Sequence, residues 1–397
     1  MYAVLVLRPG DVQPQFIPLF EERGLTPLLH GAVGGSNFLK INALYTPKVA
    51  ESKQRSLYDL IWQPLESQLQ GVTTVYCSPS GLLHRINLAA IPTSNGQPFG
   101  DRYQLVVLGS TRQLVVLNNS IQTSTNNAYL AGGIHYDTDS TTIAYANRGT
   151  SSRSLELPEA LPFQPDSAST MRAGVLEYLP ASAAEVREIG LTLATAGIQA
   201  KVDTGFYATE EAFRQLGEKS PAPRIVHLAT HGYFFPDPER KAQKASGNFG
   251  QEPVFKMSQH PMIRSGLILA GAKQAWLTGQ HPAGLEDGIL TAYEISQMNL
   301  SGTELVVLSA CETGLGDIMG NEGVYGLQRA FKIAGVKYLV MSLWKVDDRS
   351  TREFMTTFYR HWLTDKQPIP EAFRATQREI RAKHPSAYDW AGFILVE

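Results

Sequence analysis

Short apolar runs alternate with helical patterns through the second half of this 397-residue chain, and that alternation constrains its fold more than any other feature. Tyr129–Gly133, Ile198–Val202, Ile225–Ala229, Tyr338–Ser342 and Phe393–Val396 read as strands. So does the start of Leu305-Val-Val-Leu-Ser-Ala-Cys-Glu-Thr-Gly314, which then breaks into a turn. Between them lie helical stripes. Val186, Ile189 and Leu193 form one, with Ser182 as its expected cap. Thr209-Glu-Glu opens another with Phe213 and Leu216, and Glu322–Ala334 a third. Ser350-Thr-Arg-Glu353 reads as a capping box before Phe354, Phe358 and Trp362, and Glu371–Lys383 as a last helix. Parallel strands need such crossovers, so the expected fold is α/β: a three-layer α/β/α sandwich around a mostly parallel six-stranded sheet.

The first half is less regular. Ala3–Leu7, Thr74–Cys77 and Leu105–Leu108 are strand candidates, and Arg55–Gln70 is a helix candidate. Asn118–Asn127 is polar and lacks periodicity, which sets an expected division into residues 1–124 and 125–397. Ser265–Ala270 and Leu290–Met298 predict a small strand and helix before the Leu305 strand, while 233–262 and the stretch to about Ser169 read as loops.

Composition mainly excludes. A net charge of −2, from 35 basic and 37 acidic residues, leaves no nucleic-acid footprint. No apolar stretch reaches the ~20 residues of a membrane helix. The start Met1-Tyr-Ala-Val-Leu-Val-Leu-Arg-Pro lacks the pattern of a signal peptide, and with two cysteines the expected setting is the cytoplasm.

Chemistry concentrates at strand exits, where open α/β sheets build their sites. Cys311 stands at the exit of the Leu305 run, and a thiol needs a lowered pKa or a nearby base to act as a nucleophile. His231, between Ile225–Ala229 and Gly232, is the candidate base. Two neighbouring parallel strands would bring both exits to one sheet edge. His227 and His231 cannot share a metal ion, because in extended chain their Cα atoms are about 13 Å apart. His227 reads as a buried, hydrogen-bonded histidine or as a support behind the site. Cys77, inside a strand, reads as a small buried hydrophobe. A G-x-S-x-G elbow is absent, and glycines do not flank Cys311 in an elbow pattern, which disfavours an amidase.

Several ordered motifs resemble one family. His-Leu-Ala-Thr-His-Gly (227–232), Leu-Ser-Ala-Cys-Glu-Thr-Gly (308–314), Asn-Glu-Gly-Val-Tyr-Gly-Leu (321–327) and Ser342-Leu-Trp-Lys-Val-Asp-Asp348 resemble the CHAT family of caspase-like proteases. Leu290-Thr-Ala-Tyr-Glu-Ile295, Trp390-Ala-Gly-Phe393, Ser78-Pro-Ser-Gly-Leu-Leu-His84 and Leu88-Ala-Ala-Ile-Pro92 extend the likeness. The resemblance implies a caspase/separase-type fold, with a smaller degenerate caspase-like unit at 1–124 and the catalytic unit at 125–397. It also implies a cysteine peptidase whose dyad is His231 and Cys311, with the backbone N–H groups of Gly232 and Cys311 as oxyanion hole. Glu312 departs from the caspase signature Q-A-C-[RQG]-G, so cleavage after Asp is not carried over. Glu322 reads as a tether in the following loop rather than a catalytic group.

In the loop after Tyr338–Ser342, Trp344 could wall a subsite, and Asp347 or Asp348 could meet a basic side chain of the substrate. Both aspartates fit helix-start electrostatics equally well. The expected function is a cysteine endopeptidase acting on proteins through a thioester, under the control of a protein partner or signal, with no cofactor, metal, nucleic acid or membrane. The alternative is a caspase-like binding or scaffold module with a silent dyad.

Overall fold

The computed structural model describes residues 1–30, 37–47, 55–116, 125–148, 176–235, 253–281, 283–310, 313–314, 317–318 and 324–397. The N-terminal half supplies a hairpin, β1 (Tyr2–Val6) and β2 (Gln15–Phe20), then β3 (Thr74–Cys77) and β4 (Gln104–Val107). The chain continues through β5 (Asn127–Ile134), α1 (Pro180–Thr195), β6 (Gln199–Gly205), α2 (Glu210–Arg214) and β7 (Ile225–Ala229). Next come β8 (Gly232–Phe234), β9 (Ser265–Ile268), β10 (Ile289–Thr291), α3 (Ala292–Ser296) and β11 (Leu305–Ser309). The short pair β12 (Asp317–Ile318) and β13 (Val324–Tyr325) precedes α4 (Leu327–Ile333) and β14 (Tyr338–Ser342). Helices α5 (Asp348–Tyr359) and α6 (Ile369–Lys383) lead to β15 (Phe393–Val396).

The main sheet has the order β3-β4-β15-β14-β11-β7-β5-β6. Strands β14, β11, β7, β5 and β6 are parallel to one another, β15 runs against β14, and β4 and β3 follow β15. Successive strand side chains alternate between two cores. Ile225, Leu305 and Val307 meet Ile189 and Leu193 of α1 and Phe354 and Phe358 of α5. Val226, Leu228, Val306 and Leu308 meet Ile295 of α3 and Leu327 and Phe331 of α4. Fully buried aliphatic or aromatic side chains of this kind contribute about 1.5–3 kcal/mol each. The expected mostly parallel sheet between two helix layers is therefore present.

Its width differs from the six strands expected. Those six are β5, β6, β7, β11, β14 and β15, and two N-terminal strands extend the same sheet to eight. The join is the pair Val396↔Val107, where Glu397 N–H donates to the Val107 carbonyl at 2.8 Å. An unpaired β15 would leave an open apolar edge, and β4 covers it. A smaller three-stranded sheet, β10-β9-β8, stands beside the main one.

Helix starts account for most other departures. The stretch Arg55–Gln70 is helical only over Leu57–Ile61, followed by a tight turn at Gln63–Leu65 that holds Pro64, a residue without an N–H to continue the ladder. The helix expected from Glu322 begins at Leu327, after Gly326, and Val324 lies in β13. Among the described residues no helix is long and apolar enough to cross a membrane.

Phe354 is fully buried, between the rings of Phe373 and Phe393. Replacing it with alanine should lower the unfolding free energy by about 3–5 kcal/mol in urea titrations. A loss under about 1 kcal/mol would mean that this face of the sheet is not packed as described.

Candidate active site

Parallel ladder pairs hold β7 beside β11 from Ile225↔Leu305 to Ala229↔Ser309. The two strands therefore end side by side, and His231 and Cys311 each stand two residues beyond that last pair in sequence. Cys311, Glu312 and Glu322 lie outside the described residues. The residues that bracket the cysteine do not. Ala310 is buried, and its carbonyl accepts the Ser342 hydroxyl at 2.5 Å. Thr313 is buried, and its hydroxyl accepts Ser342 N–H at 3.1 Å. Gly314 N–H donates to the Ser342 carbonyl at 2.7 Å. A side chain at 314 would begin 3.0 Å from that carbonyl oxygen and 3.1 Å from Leu343 Cδ2, so glycine allows the approach. The turn after β11 is thus fastened on both sides to the end of β14.

His231 is buried, with its ring centroid 5.0 Å from that of Tyr136. Its Nε2 lies 2.7 Å from the Glu177 carbonyl oxygen. A carbonyl only accepts, so Nε2 carries the hydrogen and Nδ1 the lone pair. Burial holds the imidazole pKa below the ordinary histidine value, the Glu177 carbonyl opposes this, and the charge of Lys345 adds to the lowering. A neutral base with a fixed tautomer results.

Gly232 opens β8, facing Leu267 of β9. Ile268 N–H donates to the His231 carbonyl at 2.9 Å, which makes Gly232↔Leu267 the non-hydrogen-bonded kind of antiparallel pair. The Gly232 N–H consequently points away from β9, out of the small sheet.

The remaining candidates have structural surroundings. His227 Nε2 lies 2.7 Å from Glu185 Oε1, with both side chains at 0% exposure, and the Tyr359 hydroxyl is 3.3 Å from Nδ1. This is the buried, hydrogen-bonded histidine expected, and it ties β7 to α1 and α5. Trp344 is 3% exposed, packs near the Tyr45 ring and donates its indole N–H to the Tyr388 carbonyl at 3.0 Å. So buried a ring offers a substrate almost no surface. Asp347 is the N-cap of α5, accepting the Arg349 and Ser350 N–H groups at 3.1 Å, so the helix starts ahead of the Ser350 box. Asp348 accepts Ala181 N–H at 2.9 Å. It thereby satisfies the start of α1, where Pro180 has no N–H and Ser182 is turned elsewhere. The Ser182 hydroxyl donates to the Leu179 carbonyl at 2.7 Å and accepts Gly133 N–H at 2.9 Å, rather than capping the helix.

Sequence reasoning missed three contributors: the Glu177 carbonyl, Ser342 and Tyr136. A main-chain carbonyl leaves no trace in residue identity. Ser342 had a weak signal, as a polar residue closing an apolar strand.

A family profile described as the CHAT domain matches residues 51–397. A 115-residue stretch is 32% identical to tetratricopeptide repeat protein 28 of Mus musculus, covering 28% of this chain and 4% of that protein. The chain thus spans a small part of that relative's length. Among solved structures, the Arg-specific cysteine proteinase gingipain R is similar over 84% of this chain and 65% of its own, at 10% identity and a TM-score of 0.45. A Saccharomyces cerevisiae separase–securin complex is similar over 94% of this chain and 22% of the other, at 10% identity and a TM-score of 0.39.

Burial pushes the Asp348 carboxyl up to about 6 from 3.8, aided by the charges of Glu185 and Asp347 and opposed by Ala181 N–H and Lys345. The folded protein then holds this proton more tightly than the unfolded chain, so the contribution of this carboxyl to stability is most favourable below pH 3.8 and declines as pH rises to about 6. Asp348→Asn keeps an acceptor for Ala181 N–H and removes the titration. Unfolding midpoints measured from about pH 4 to 7 should show wild type losing ground to the variant across that window. A difference that does not change with pH would disprove the assignment.

Proposed function

The chain belongs to the CHAT-domain family, and on that premise we propose that it is a cysteine endopeptidase acting on proteins through Cys311 and His231. The observation that carries the reading is the in-register β7–β11 ladder, with a neutral, tautomer-fixed histidine beyond one strand and the chain's exit cysteine at the equivalent sequence position beyond the other.

The chemistry follows from those groups. Nδ1 of His231 takes the Cys311 proton as sulfur attacks the scissile carbonyl carbon. The carbonyl π pair moves onto oxygen, and the oxyanion accepts hydrogen bonds from the N–H groups of Gly232 and Cys311. One such donor is worth ~3–4 kcal/mol in the transition state. The intermediate collapses, the C–N bond breaks, and His231 returns its proton to the departing amine, leaving a thioester. His231 then deprotonates a water that attacks the thioester, and the acid product leaves as Cys311 regains its proton. A cytosolic setting, where the thiol stays reduced, and a regulatory protein partner belong to the same proposal.

Cys77 is the internal control, because burial pushes its thiol up to about 11. An electrophilic peptide probe should label Cys311 and spare Cys77 in the folded protein, and Cys311→Ala should abolish cleavage with the fold retained. His231→Ala should cost about 10²–10⁴-fold in rate. Mapping new protein termini in wild type against Cys311→Ala reads out substrates directly. A Cys311→Ala protein that cleaves as well as wild type would sink the proposal, and a protein that cleaves nothing and resists the probe would be a silent scaffold.

The lowered pKa of His231 adds a second expectation. Its base form persists below the ordinary histidine range, so the acid limb of kcat/KM should lie below that of a solvent-exposed imidazole. An acid limb at or above the ordinary value would show that His231 is not the base.

A further inference from the structure

The motifs around His84 and Leu88 take no part in the chemistry above, yet they wall a cavity of about 70 Å³. Its other walls are β4, β15 and one face of α6, where Phe373, Arg374, Gln377 and Arg381 follow helical spacing. That volume is several times the ~10–15 Å³ that one water needs, so it suits a molecule of a few heavy atoms. Leu83, Leu88, Phe373 and Ile394 supply apolar lining.

Two polar side chains on these walls are more than nine-tenths buried and lack a partner. Trp390 is 5% exposed, and its indole N–H donates to nothing among the described residues. His84 is 8% exposed, and its Nε2 is likewise unpaired among them. The Pro79 carbonyl accepts from the other ring nitrogen, so Nδ1 carries the hydrogen and Nε2 a lone pair. Burial holds the His84 pKa down to about 4, so the ring is neutral. The lining therefore offers one buried donor and one buried acceptor, each costly to leave unmet.

Asp101, Arg374, Arg378, Arg381 and Glu397 also line the cavity, three cations against two carboxylates. Asp101 is taken by Arg381, at 2.5 Å, and the Arg381 guanidinium lies over the Trp390 ring. Arg378 is exposed and turns its Nε to the Arg374 carbonyl, 3.4 Å away. Arg374 is half-buried and forms no ion pair with a described residue, and Glu371 and Glu397 act on it only at longer range. One partly desolvated positive charge is thus left without a close counter-ion.

We propose that this cavity binds a small α-hydroxycarboxylate, a monoanion of about the size of lactate. Its carboxylate accepts from the Arg374 guanidinium and the Trp390 indole N–H, its hydroxyl donates to His84 Nε2, and its carbon end meets the apolar lining. The guanidinium fork matches a carboxylate in both charge and shape. A plain fatty acid would leave His84 unmet, and an amino acid would bring an ammonium to a wall that already carries excess positive charge. The site is separate from Cys311 and His231. It lies between the segment 79–101, α6 and β15, so an occupant tightens the attachment of the N-terminal strands.

The test titrates the full chain with sodium lactate by calorimetry, against matched sodium chloride, with thermal unfolding in parallel. Saturable binding and a higher unfolding temperature are expected. Propionate lacks the hydroxyl and lactamide lacks the charge, and each should bind at least about tenfold more weakly. Arg374→Gln should weaken lactate binding by at least about tenfold. His84→Phe should weaken lactate and leave propionate unchanged. Trp390→Phe keeps a ring beneath Arg381, removes the N–H and should weaken both acids. Should either buried variant fail to fold, Arg374→Gln and the two analogues still decide. No saturable binding overturns the proposal and leaves water as the partner of His84 and Trp390. Equal binding of lactate, propionate and lactamide overturns it as well, as does lactate binding unchanged in Arg374→Gln.

Discussion

The register of one parallel ladder, β7 against β11, is the constraint on which the rest depends. Its hydrogen bonds pair Ile225 with Leu305 and Ala229 with Ser309, and so fix where each strand stops. Side chains alternate faces along a strand, so a slip by one residue would invert both cores. His227 would leave Glu185 and Tyr359 on the α1–α5 face and enter the apolar layer beneath α3 and α4, where Val226 and Leu228 now sit. Burying a polar ring without partners is costly, and the register is therefore specified by polar groups as well as by packing.

A short segment serves as the common support for those groups. Between Glu177 and Glu185, four residues reach four different elements. The Glu177 carbonyl holds His231, Ala181 N–H meets Asp348, Ser182 receives Gly133 N–H, and Glu185 pairs with His227. The start of α1 is thus bound to β5, β7, the exit of β7 and the start of α5. Each bond satisfies a group that folding removed from water, and together they make a polar network in which displacement of one member is felt by the others.

What was legible in the sequence follows from this division of labour. The parallel sheet and its helices were readable because Leu305-Val-Val-Leu and Tyr338-Leu-Val-Met print their burial directly into residue type. The position of His231 just beyond β7 was readable because glycine follows an apolar run there. The joining of β4 to β15 was not, since one backbone pair leaves no pattern. Helix starts went astray where caps act across the fold: Asp348 serves α1 from a distance in sequence, which released Ser182 for Gly133. Trp344 is a hydrogen-bonded core residue, and an indole in a loop looks the same from sequence whether it faces substrate or core.

The Glu177–His231 bond has a consequence for how such a site tolerates change over generations. Its acceptor is a main-chain carbonyl, present whatever amino acid occupies position 177. Substitutions there leave the imidazole oriented unless they shift the backbone, so drift at this codon does not reach the His231 ring. Selection for the orientation must fall instead on the side chains that hold this segment in place, Ser182 and Asp348 among them.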